Sequence, residues 1–493
     1  MSSHRQIFKS TALIGGMQVI NLGIGIVRTK VLALLLGPSG VGLAGLYTAA
    51  VSLVGSVAGF GINASGVRQV AAAAGTGNET RIARTIVTLR RASLCAGMLG
   101  MVGVLALASL LSRTTFGDHK HVFGIGLMSL TLLFGGISAG QNALLQGLRR
   151  LRDMAASEIS AAIFGAVVSI GLVWWLREQG IVPYLVTISA FGILLSWWYA
   201  RRVPLQRVTV TWGETLEESR GLLALGSAFM ASALIASGTA YFTRVFVQRR
   251  LGTEAVGIYT AVWTLSTYYV GIVLVAMAAD FLPRLTAAAN DPVTMNRLVN
   301  EQTETGMLIA VPGVLATLTL APWVMKVFYS AAFVPGAEVV RWQILGVFLR
   351  VVSWPLAFVL VAKGRGLLFT LTELAGGAMN VGLVYLCVKL WKLNGAGIAF
   401  ALLYVCYTGM MLMVVCRLTD FRWSSAVLKV LGLAILVMGT IFVCARFLPG
   451  RWSFCIGLAA TLVVSAISLL TLQKLLGMSF WRVLCDKLRT EST

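Results

Sequence analysis

The stretch Leu35–Ala49, LLGPSGVGLAGLYTA, decides the fold, because it lies between two long apolar runs and returns in altered form later in the chain. Its counterpart is Arg249–Ala261, RRLGTEAVGIYTA. Gly42 and Gly257 occupy the same place in the two copies and are 215 residues apart. A phrase repeated at this distance predicts two similar halves, and the flanking apolar runs predict that both halves are embedded in a membrane.

The composition is that of an all-α integral membrane protein. Of the 493 residues, 58% are hydrophobic and 12% are charged, and apolar runs repeatedly reach about twenty residues, the length that spans a bilayer. Reading these runs against the Gly, Pro and charge breaks predicts about 14 transmembrane helices with short connections, the second of them at 41–73 and the seventh at 220–249. The net charge of +22 is spread between the runs rather than gathered in a tract, which argues against nucleic acid as a partner.

The basic residues also predict the orientation. The helix ends on the side of the N-terminus carry 25 Lys and Arg residues, and the ends on the other side carry 10. Because basic residues favour the cytoplasm, both termini are predicted to be cytoplasmic. The first apolar stretch, 9–36, is longer than the core of a signal peptide and is interpreted as the first transmembrane helix.

The repeat continues over several helices with an almost constant offset. Arg68 and Arg284 are 216 residues apart, and Glu158 and Glu373 are 215 apart. Six helices separate the copies, so both have the same orientation, which is a parallel repeat. The predicted division is an N-terminal six-helix bundle at 1–202, a cytoplasmic linker at 203–219, a C-terminal six-helix bundle at 220–417, and two additional helices with a cytoplasmic tail at 418–493.

Two such bundles around a central cavity are typical of transporters that work by alternating access, whereas a structural scaffold leaves the charges within the helices unexplained. Five basic residues fall within the predicted spans: Arg28, Lys30, Arg244, Arg341 and Arg350. Arg350 lies about thirteen residues, or about 20 Å, from each end of its helix, beyond easy snorkelling. The charge of Arg350 is therefore predicted to be balanced either by a substrate anion in the cavity or by a buried ion pair with Asp280 or Glu373.

The other cations have simpler alternatives. Arg244 and Lys30 lie within about two turns of the external end of their helices and could snorkel. Arg341 follows Glu338 by one helical turn, which predicts a local ion pair. Because the candidates for the cavity are cationic, the predicted ligand is anionic, and the planar guanidinium group suits phosphate or pyrophosphate.

Polar stripes add candidates for the same cavity. Along the first helix one face carries Gln18, Asn21, Gly25 and Arg28, which predicts either a water-filled lumen or a hydrogen-bonded helix seam. A milder stripe in the second helix could equally be close helix packing: Ser52, Ser56, Gly59 and Asn63. Gln141, Asn142 and Gln146 could bind sugar hydroxyls or join helices.

Two acids leave the energy source open. Asp280 and Glu373 lie within predicted spans, so either could couple transport to proton or sodium entry, or could neutralise Arg350 or Lys363. Apart from a coupling proton or sodium ion, no cofactor is predicted. The three histidines and the scattered cysteines form no metal motif, and no phosphate-binding glycine loop or large catalytic loop is present in the sequence. The chain is therefore predicted to be a transporter rather than an enzyme.

Five segments together carry a family resemblance: KVLALLLGPSGVGLAG from Lys30, QNALLQGLRR from Gln141, VGIYTAVWTLS from Val256, FLPRLT from Phe281, and WQILGVFLRVVSWPLAFVLVAKGRGLLFTLTE from Trp342. Over about the first 415 residues the chain resembles the Wzx-type flippases for O-antigen and enterobacterial common antigen. These belong to the polysaccharide transport branch of the MOP flippase superfamily, which also contains the MATE transporters.

The resemblance implies a substrate, a site and a location. The substrate is an undecaprenyl-pyrophosphate-linked oligosaccharide of the O-antigen type, carried from the cytoplasmic to the periplasmic leaflet of the bacterial inner membrane during lipopolysaccharide biosynthesis. The implied partners are the lipid bilayer and the O-antigen polymerase and chain-length machinery. Lys30, Arg244 and Arg350 lie within or beside matching segments, so the resemblance implies that they line the cationic cavity found in the family. The assignment of Arg28 to this cavity depends on the polar stripe of the first helix alone.

One departure keeps an alternative open. Twelve helices are usual in the Wzx branch, whereas the segments from Val427 and from Trp452 bring the predicted number here to fourteen. Fourteen helices are characteristic of the related lipid II flippases of peptidoglycan synthesis, which are therefore the first alternative. A cation-coupled multidrug exporter is the second.

Overall fold

The computed structural model describes residues 3–204, 206 and 208–476. Within this range, the side chains at 3–12, 63, 64, 219–225, 227–229, 269, 270, 272, 273, 275–280 and 476 lie outside the description. The described residues form helices joined by short turns and loops, and they contain no strand.

The described chain contains thirteen α-helices, of which α1 and α11 are kinked: α1 (Ser3–Ala58), α2 (Ile62–Gly75), α3 (Glu79–Thr115), α4 (Val122–Gly147), α5 (Leu151–Leu176), α6 (Ile181–Ala200), α7 (Trp212–Leu251), α8 (Thr253–Ala287), α9 (Pro292–Phe328), α10 (Ala337–Ala362), α11 (Gly366–Thr419), α12 (Ser425–Phe447) and α13 (Gly450–Leu476). Two short 3₁₀ turns, Arg177–Gly180 and Ala331–Gly336, precede α6 and α10.

These helices provide fourteen long helical segments among the described residues. Helix α1 contains two segments joined at Gly37, and α11 contains two joined at Trp391 and Lys392. Helix α2 continues the second segment of α1 after a short break, so it adds no crossing of its own. Ten stretches are long and apolar enough to span a bilayer, and the three longest, of 46, 50 and 54 residues, each contain two helices. The predicted all-α membrane fold is confirmed.

The first turn is built as the sequence predicts. Gly37 has φ 66° and ψ −165°, a left-handed conformation that glycine adopts without the steric cost of a Cβ. Pro38 follows at the first position of the next helical segment, where its missing N–H removes no helical hydrogen bond. The chain therefore reverses over very few residues.

Two boundaries differ from the sequence-based expectation. The second predicted helix, 41–73, is interrupted at Gly59–Gly61, where Phe60 and Gly61 have positive φ values of 42° and 59°. Helix α7 begins at Trp212, eight residues before the predicted start. Its capping box explains the early start: the Thr211 side chain accepts from the Glu214 backbone N–H, and the Glu214 carboxylate accepts from the Thr211 backbone N–H.

The two copies of the repeated phrase pack against each other. A Cβ added at Gly42 would overlap the backbone of Thr253 and Gly257, and a Cβ added at Gly257 would overlap the carbonyl oxygen of Pro38. The second segment of α1 therefore touches the start of α8 backbone to backbone. Glycine is needed at both positions because only a residue without a side chain permits this approach.

The packing of the chain divides it into two compact units. Unit 1 comprises Met1–Ala261 and Phe328–Phe333, and unit 2 comprises Val262–Val327 and Val334–Thr493. The core of unit 1 includes Ile86 and Leu144, and that of unit 2 includes Val314 and Phe348. The predicted boundary at 203–219 concerns the sequence repeat, which a division by packing does not test, so it stays a prediction.

Candidate functional site

Arg28 lies in the first segment of α1 and is half-buried. Its guanidinium carbon lies 5.9 Å from the centre of the Tyr184 ring, which is a cation–π contact. Its Nε is buried and has no hydrogen-bond partner among the described residues. No carboxylate in the described part of the chain pairs with Arg28, so part of its donor capacity is uncommitted.

Arg244 has the same character on α7. Its Nη1 donates to the carbonyl oxygen of Ala240, one turn earlier, over 3.2 Å. Its Nε is buried without a hydrogen-bond partner in the described chain. Arg244 forms no ion pair with any described carboxylate. Lys30, which is half-buried in α1, is engaged with a neighbouring group.

The predicted amide residues divide into two kinds. The Oδ1 atoms of Asn21 and Asn142 are buried and accept no hydrogen bond from any described residue. Gln141, by contrast, accepts a hydrogen bond from the Ser196 hydroxyl over 2.5 Å and is 6% exposed. Gln141 therefore joins α4 to α6, which is the second of its two predicted roles.

Uncommitted polar atoms of this kind are unusual in folded proteins. A buried donor or acceptor without a partner costs about 1–3 kcal/mol, so most such atoms are paired, and exceptions often mark places that water or a ligand completes. Four of the predicted unit 1 site residues carry one: Asn21, Arg28, Asn142 and Arg244. Other described residues, such as Gln343, also carry buried unpaired atoms, so the assignment of these four residues to a ligand site stays a prediction.

In unit 2, Arg350 lies beside the first of two neighbouring tyrosines, Tyr404 and Tyr407. The guanidinium carbon lies 5.9 Å from the centre of the Tyr404 ring, and the Tyr404 and Tyr407 ring centres are 6.0 Å apart. The Tyr407 hydroxyl donates to Oε1 of Glu373 over 2.8 Å. Glu373 therefore occupies the other end of the row and is held by Tyr407.

Arg350 and Glu373 do not form the ion pair that was one alternative for Arg350. Among the described residues no carboxylate lies within ion-pairing distance of Arg350. The side chain of Asp280, the other acid considered, lies outside the described residues. The predicted local pair of Arg341 and Glu338 is confirmed, with 2.5 Å between Nη1 and Oε1.

One further acid lies within a predicted span and marks the repeat. Glu158, the counterpart of Glu373, is half-buried in α5 and forms no ion pair with any residue in the described ranges. Its place within a membrane helix makes it a further candidate for ion coupling. The sequence alone could have identified Glu158 as a candidate, because an acid inside an apolar run requires a compensating partner.

A cavity of about 820 Å³ lies inside unit 1, among the second segment of α1, the break before α2, and helices α3, α4 and α7. Ser52, Ser56 and Gly59, from the milder polar stripe, line it. Among the described residues none of the predicted cations does. The contributions of α3 and α4 were missed, because their glycine and serine positions resemble ordinary helix-packing positions in the sequence.

Comparisons with known proteins fit this architecture. The "Lipid III flippase" of Escherichia coli (strain K12) is 24% identical over 409 residues, covering 79% of this chain and 93% of that protein. A structure of the lipid II flippase MurJ in an inward closed conformation aligns with a TM-score of 0.68 at 12% identity, over 94% of this chain and 99% of that one. An inward-facing multidrug resistance MATE transporter of the MOP superfamily aligns with a TM-score of 0.63 at 17% identity, over 82% and 99%.

The structural likenesses show the fold, which is that of the MurJ and MATE structures. The family follows from the sequence itself. The profile described as "Polysaccharide biosynthesis protein" matches residues 7–288, which is more than half of the chain. The protein is therefore a multi-pass membrane member of the polysaccharide biosynthesis protein family.

Proposed function

We propose that this protein is a flippase that moves a polyprenyl-pyrophosphate-linked oligosaccharide, of the O-antigen repeat-unit type, from the cytoplasmic to the periplasmic leaflet of the bacterial inner membrane. One observation carries the proposal. Three arginines within membrane helices, Arg28, Arg244 and Arg350, have no carboxylate partner among the described residues. Because charge in a membrane interior requires compensation, an anionic substrate is the natural complement.

The polarity of these groups separates the candidate substrates. A pyrophosphate accepts paired hydrogen bonds from a guanidinium fork, so Arg28, Arg244, Arg350 and Lys30 are proposed to bind it during alternating access. An organic cation would be repelled by the same residues. The free amide oxygens of Asn21 and Asn142 are proposed to receive sugar hydroxyls, and Gln141 to hold α4 in place beside them.

The relatives support the class of substrate. The names of the lipid III and lipid II flippases both describe proteins that flip a lipid. The family profile describes polysaccharide biosynthesis. A carrier lipid bearing sugars satisfies both descriptions. Energy coupling through a proton or sodium ion is proposed to involve Glu373, held by Tyr407, or Asp280.

A lipid II flippase of peptidoglycan synthesis is the second candidate. The fourteen segments and the alignment over 94% of this chain with MurJ favour it. The two candidates share a mechanism and differ in the glycan.

Deletion of the gene in its host tests the proposal. We expect loss of surface polysaccharide and accumulation of undecaprenyl-pyrophosphate-linked glycan in the cytoplasmic leaflet, with normal cell shape. Lysis and accumulation of lipid II would instead support the second candidate. Unchanged surface polysaccharide together with sensitivity to cationic dyes would contradict both and favour a multidrug exporter.

A further inference from the structure

The 820 Å³ cavity inside unit 1 differs in chemistry from the cationic residues described above. Its volume is within the range of about 300–1,000 Å³ that is usual for small-molecule sites. Among the described residues that line it, none is charged. Glycine, alanine, serine and threonine provide most of the wall, so backbone and hydroxyl groups face the space. We call this space the neutral chamber.

Helix packing explains only part of its glycine content. A Cβ at Gly136 would lie 3.0 Å from the Cα of Gly97, so these two glycines allow α3 and α4 to touch. Gly135 is different, because a Cβ added there would meet nothing within 4 Å. Gly135 therefore borders open space in the neutral chamber rather than a neighbouring helix.

Ser93 on α3 is the observation that points to a ligand. This residue lines the neutral chamber and is 2% exposed. Its hydroxyl oxygen is buried and has no hydrogen-bond partner among the described residues. A serine in a helix can usually satisfy its hydroxyl on the carbonyl three or four residues earlier. The Ser93 hydroxyl does not, and its oxygen lies beside Gly140 of α4, at the contact between α3 and α4 that borders the neutral chamber.

Two other hydroxyls that line the neutral chamber already donate hydrogen bonds to backbone carbonyl oxygens. Ser56 donates to the carbonyl oxygen of Leu53 over 2.7 Å, and Thr131 donates to that of Met128 over 2.6 Å. Their donors are used, but their oxygens can still accept. Ser93 can both donate and accept, and the carboxamide of Gln146 can do the same.

This combination matches a sugar and disfavours other guests. A pyranose presents C–H faces to small apolar residues and hydroxyls that both donate and accept, as these wall groups require. A phosphate or a charged sugar would meet no counter-charge among these wall groups, so any hydration that it lost on entry would not be compensated. A purely apolar chain would bury the wall hydroxyls without satisfying them.

We infer that the neutral chamber binds one or more uncharged pyranose residues of the transported glycan, apart from the groups that bind pyrophosphate. The inference rests on the proposed function, since it concerns the sugar portion of that substrate. It assigns glycan preference to α3, α4 and α7 within unit 1, and it leaves the anion to Arg28, Arg244, Lys30 and Arg350.

Filling the neutral chamber tests the inference. The full-length protein in nanodiscs is titrated with two probes: bare undecaprenyl pyrophosphate, and the same lipid carrying a neutral disaccharide of N-acetylhexosamines. Gly135→Leu adds a side chain into the open space, while Gly171→Leu places the same side chain on an exposed face of α5 and is the matched control. We expect Gly135→Leu to abolish the preference for the glycan-bearing lipid, leaving its affinity for the bare lipid within twofold of wild type.

Ser93→Ala provides a second variant that adds no bulk. Because the hydroxyl has no partner in the described protein, its removal should leave the melting temperature unchanged or raised. Loss of one neutral hydrogen bond to a sugar should lower the affinity for the glycan-bearing lipid about three- to tenfold and spare the bare lipid. A lowered melting temperature with no change in glycan affinity would show a structural role and overturn the inference.

The remaining outcomes separate this inference from the proposed function. Wild-type protein that binds neither lipid contradicts the proposed function itself. Wild-type protein that prefers the glycan-bearing lipid, with Gly135→Leu keeping that preference, overturns the neutral chamber alone. An equal loss of both lipids in Gly135→Leu, with Gly171→Leu normal, would place the carrier lipid in the chamber and also overturn the inference.

Discussion

Arg350 is the residue whose chemistry bears most directly on the substrate. It faces a tyrosine ring rather than a carboxylate among the described residues, and Glu373 is held by Tyr407 instead. A guanidinium in this setting has its hydrogen-bonding fork available to another partner. Its neighbours orient it, and they do not neutralise it.

Replacing Arg350 should therefore weaken anion binding. We expect Arg350→Ala to lower the affinity for undecaprenyl pyrophosphate about 10- to 100-fold, because a hydrogen bond to a charged group contributes about 1.5–3 kcal/mol. Arg350→Lys keeps the charge but not the paired geometry, so an intermediate loss is expected. Lipid titration of the nanodisc-embedded protein measures both, and equal affinity in all three proteins would remove Arg350 from the site.

Gly257 occupies a position where the close contact of two backbones requires glycine. Gly257→Ala would push a Cβ into the carbonyl oxygen of Pro38, and overpacking of this kind costs about 1–3 kcal/mol. A lower unfolding midpoint is therefore expected. Gly23→Ala in α1 is the matched control, because a Cβ there meets nothing within 4 Å; it should be neutral or stabilising by up to about 1 kcal/mol. Equal midpoints would contradict the close contact between the repeated phrases.

At the scale of elements, the segment before α7 is fastened to α3. Arg84 Nη2 lies 2.7 Å from Oε1 of Glu214, and Arg91 Nη1 donates to the Val210 carbonyl oxygen over 2.8 Å. The guanidinium carbon of Arg91 also lies 4.7 Å from the centre of the Trp212 ring. The predicted linker is thus partly helical and docked on its own unit.

This docking should depend on acidity. Hydrogen bonds from the Thr211 backbone and hydroxyl, followed by the charge of Arg84, lower the pKa of Glu214 below its ordinary value. A carboxylate with a lowered folded pKa contributes stability above its unfolded pKa of about 4.3 and loses it as the pH falls through the folded value. Amide-exchange protection at 208–216, corrected for intrinsic rates, should therefore decrease below about pH 4.

Glu214→Gln should reduce that protection at neutral pH and flatten its acid dependence. Glu217→Gln is the matched control, because Glu217 is exposed on the same turn of α7. If Glu214→Gln and wild type show the same acid profile, the capping box does not control the start of α7.

The elements themselves were largely predictable. The lengths of the apolar runs predict the membrane-spanning helices, and Gly37 with Pro38 predicts the first turn between helices. Both predictions depend only on local properties of the chain. The break at Gly59–Gly61 and the early start of α7 depend on tertiary packing and on a two-residue capping interaction, which apolar patterning does not register.

At the scale of the molecule, the cations within the membrane helices could be located from the sequence, whereas the neutral chamber could not. Charges in apolar runs are conspicuous, so Arg28, Arg244 and Arg350 were found from sequence. Glycine and serine on α3 and α4 look alike whether they pack or line a space. Only the open space at Gly135 and the unpaired Ser93 distinguish the two.

The most direct test of the central claim is lipid transfer by the purified full chain in proteoliposomes. Undecaprenyl pyrophosphate carrying a fluorescent neutral oligosaccharide is placed in one leaflet, and its appearance in the other is followed with a membrane-impermeant quencher. We predict transfer well above that of protein-free liposomes, with a strong reduction in Arg350→Ala. Transfer no faster than in protein-free liposomes, together with transport of a cationic dye by the same preparation, would contradict the account.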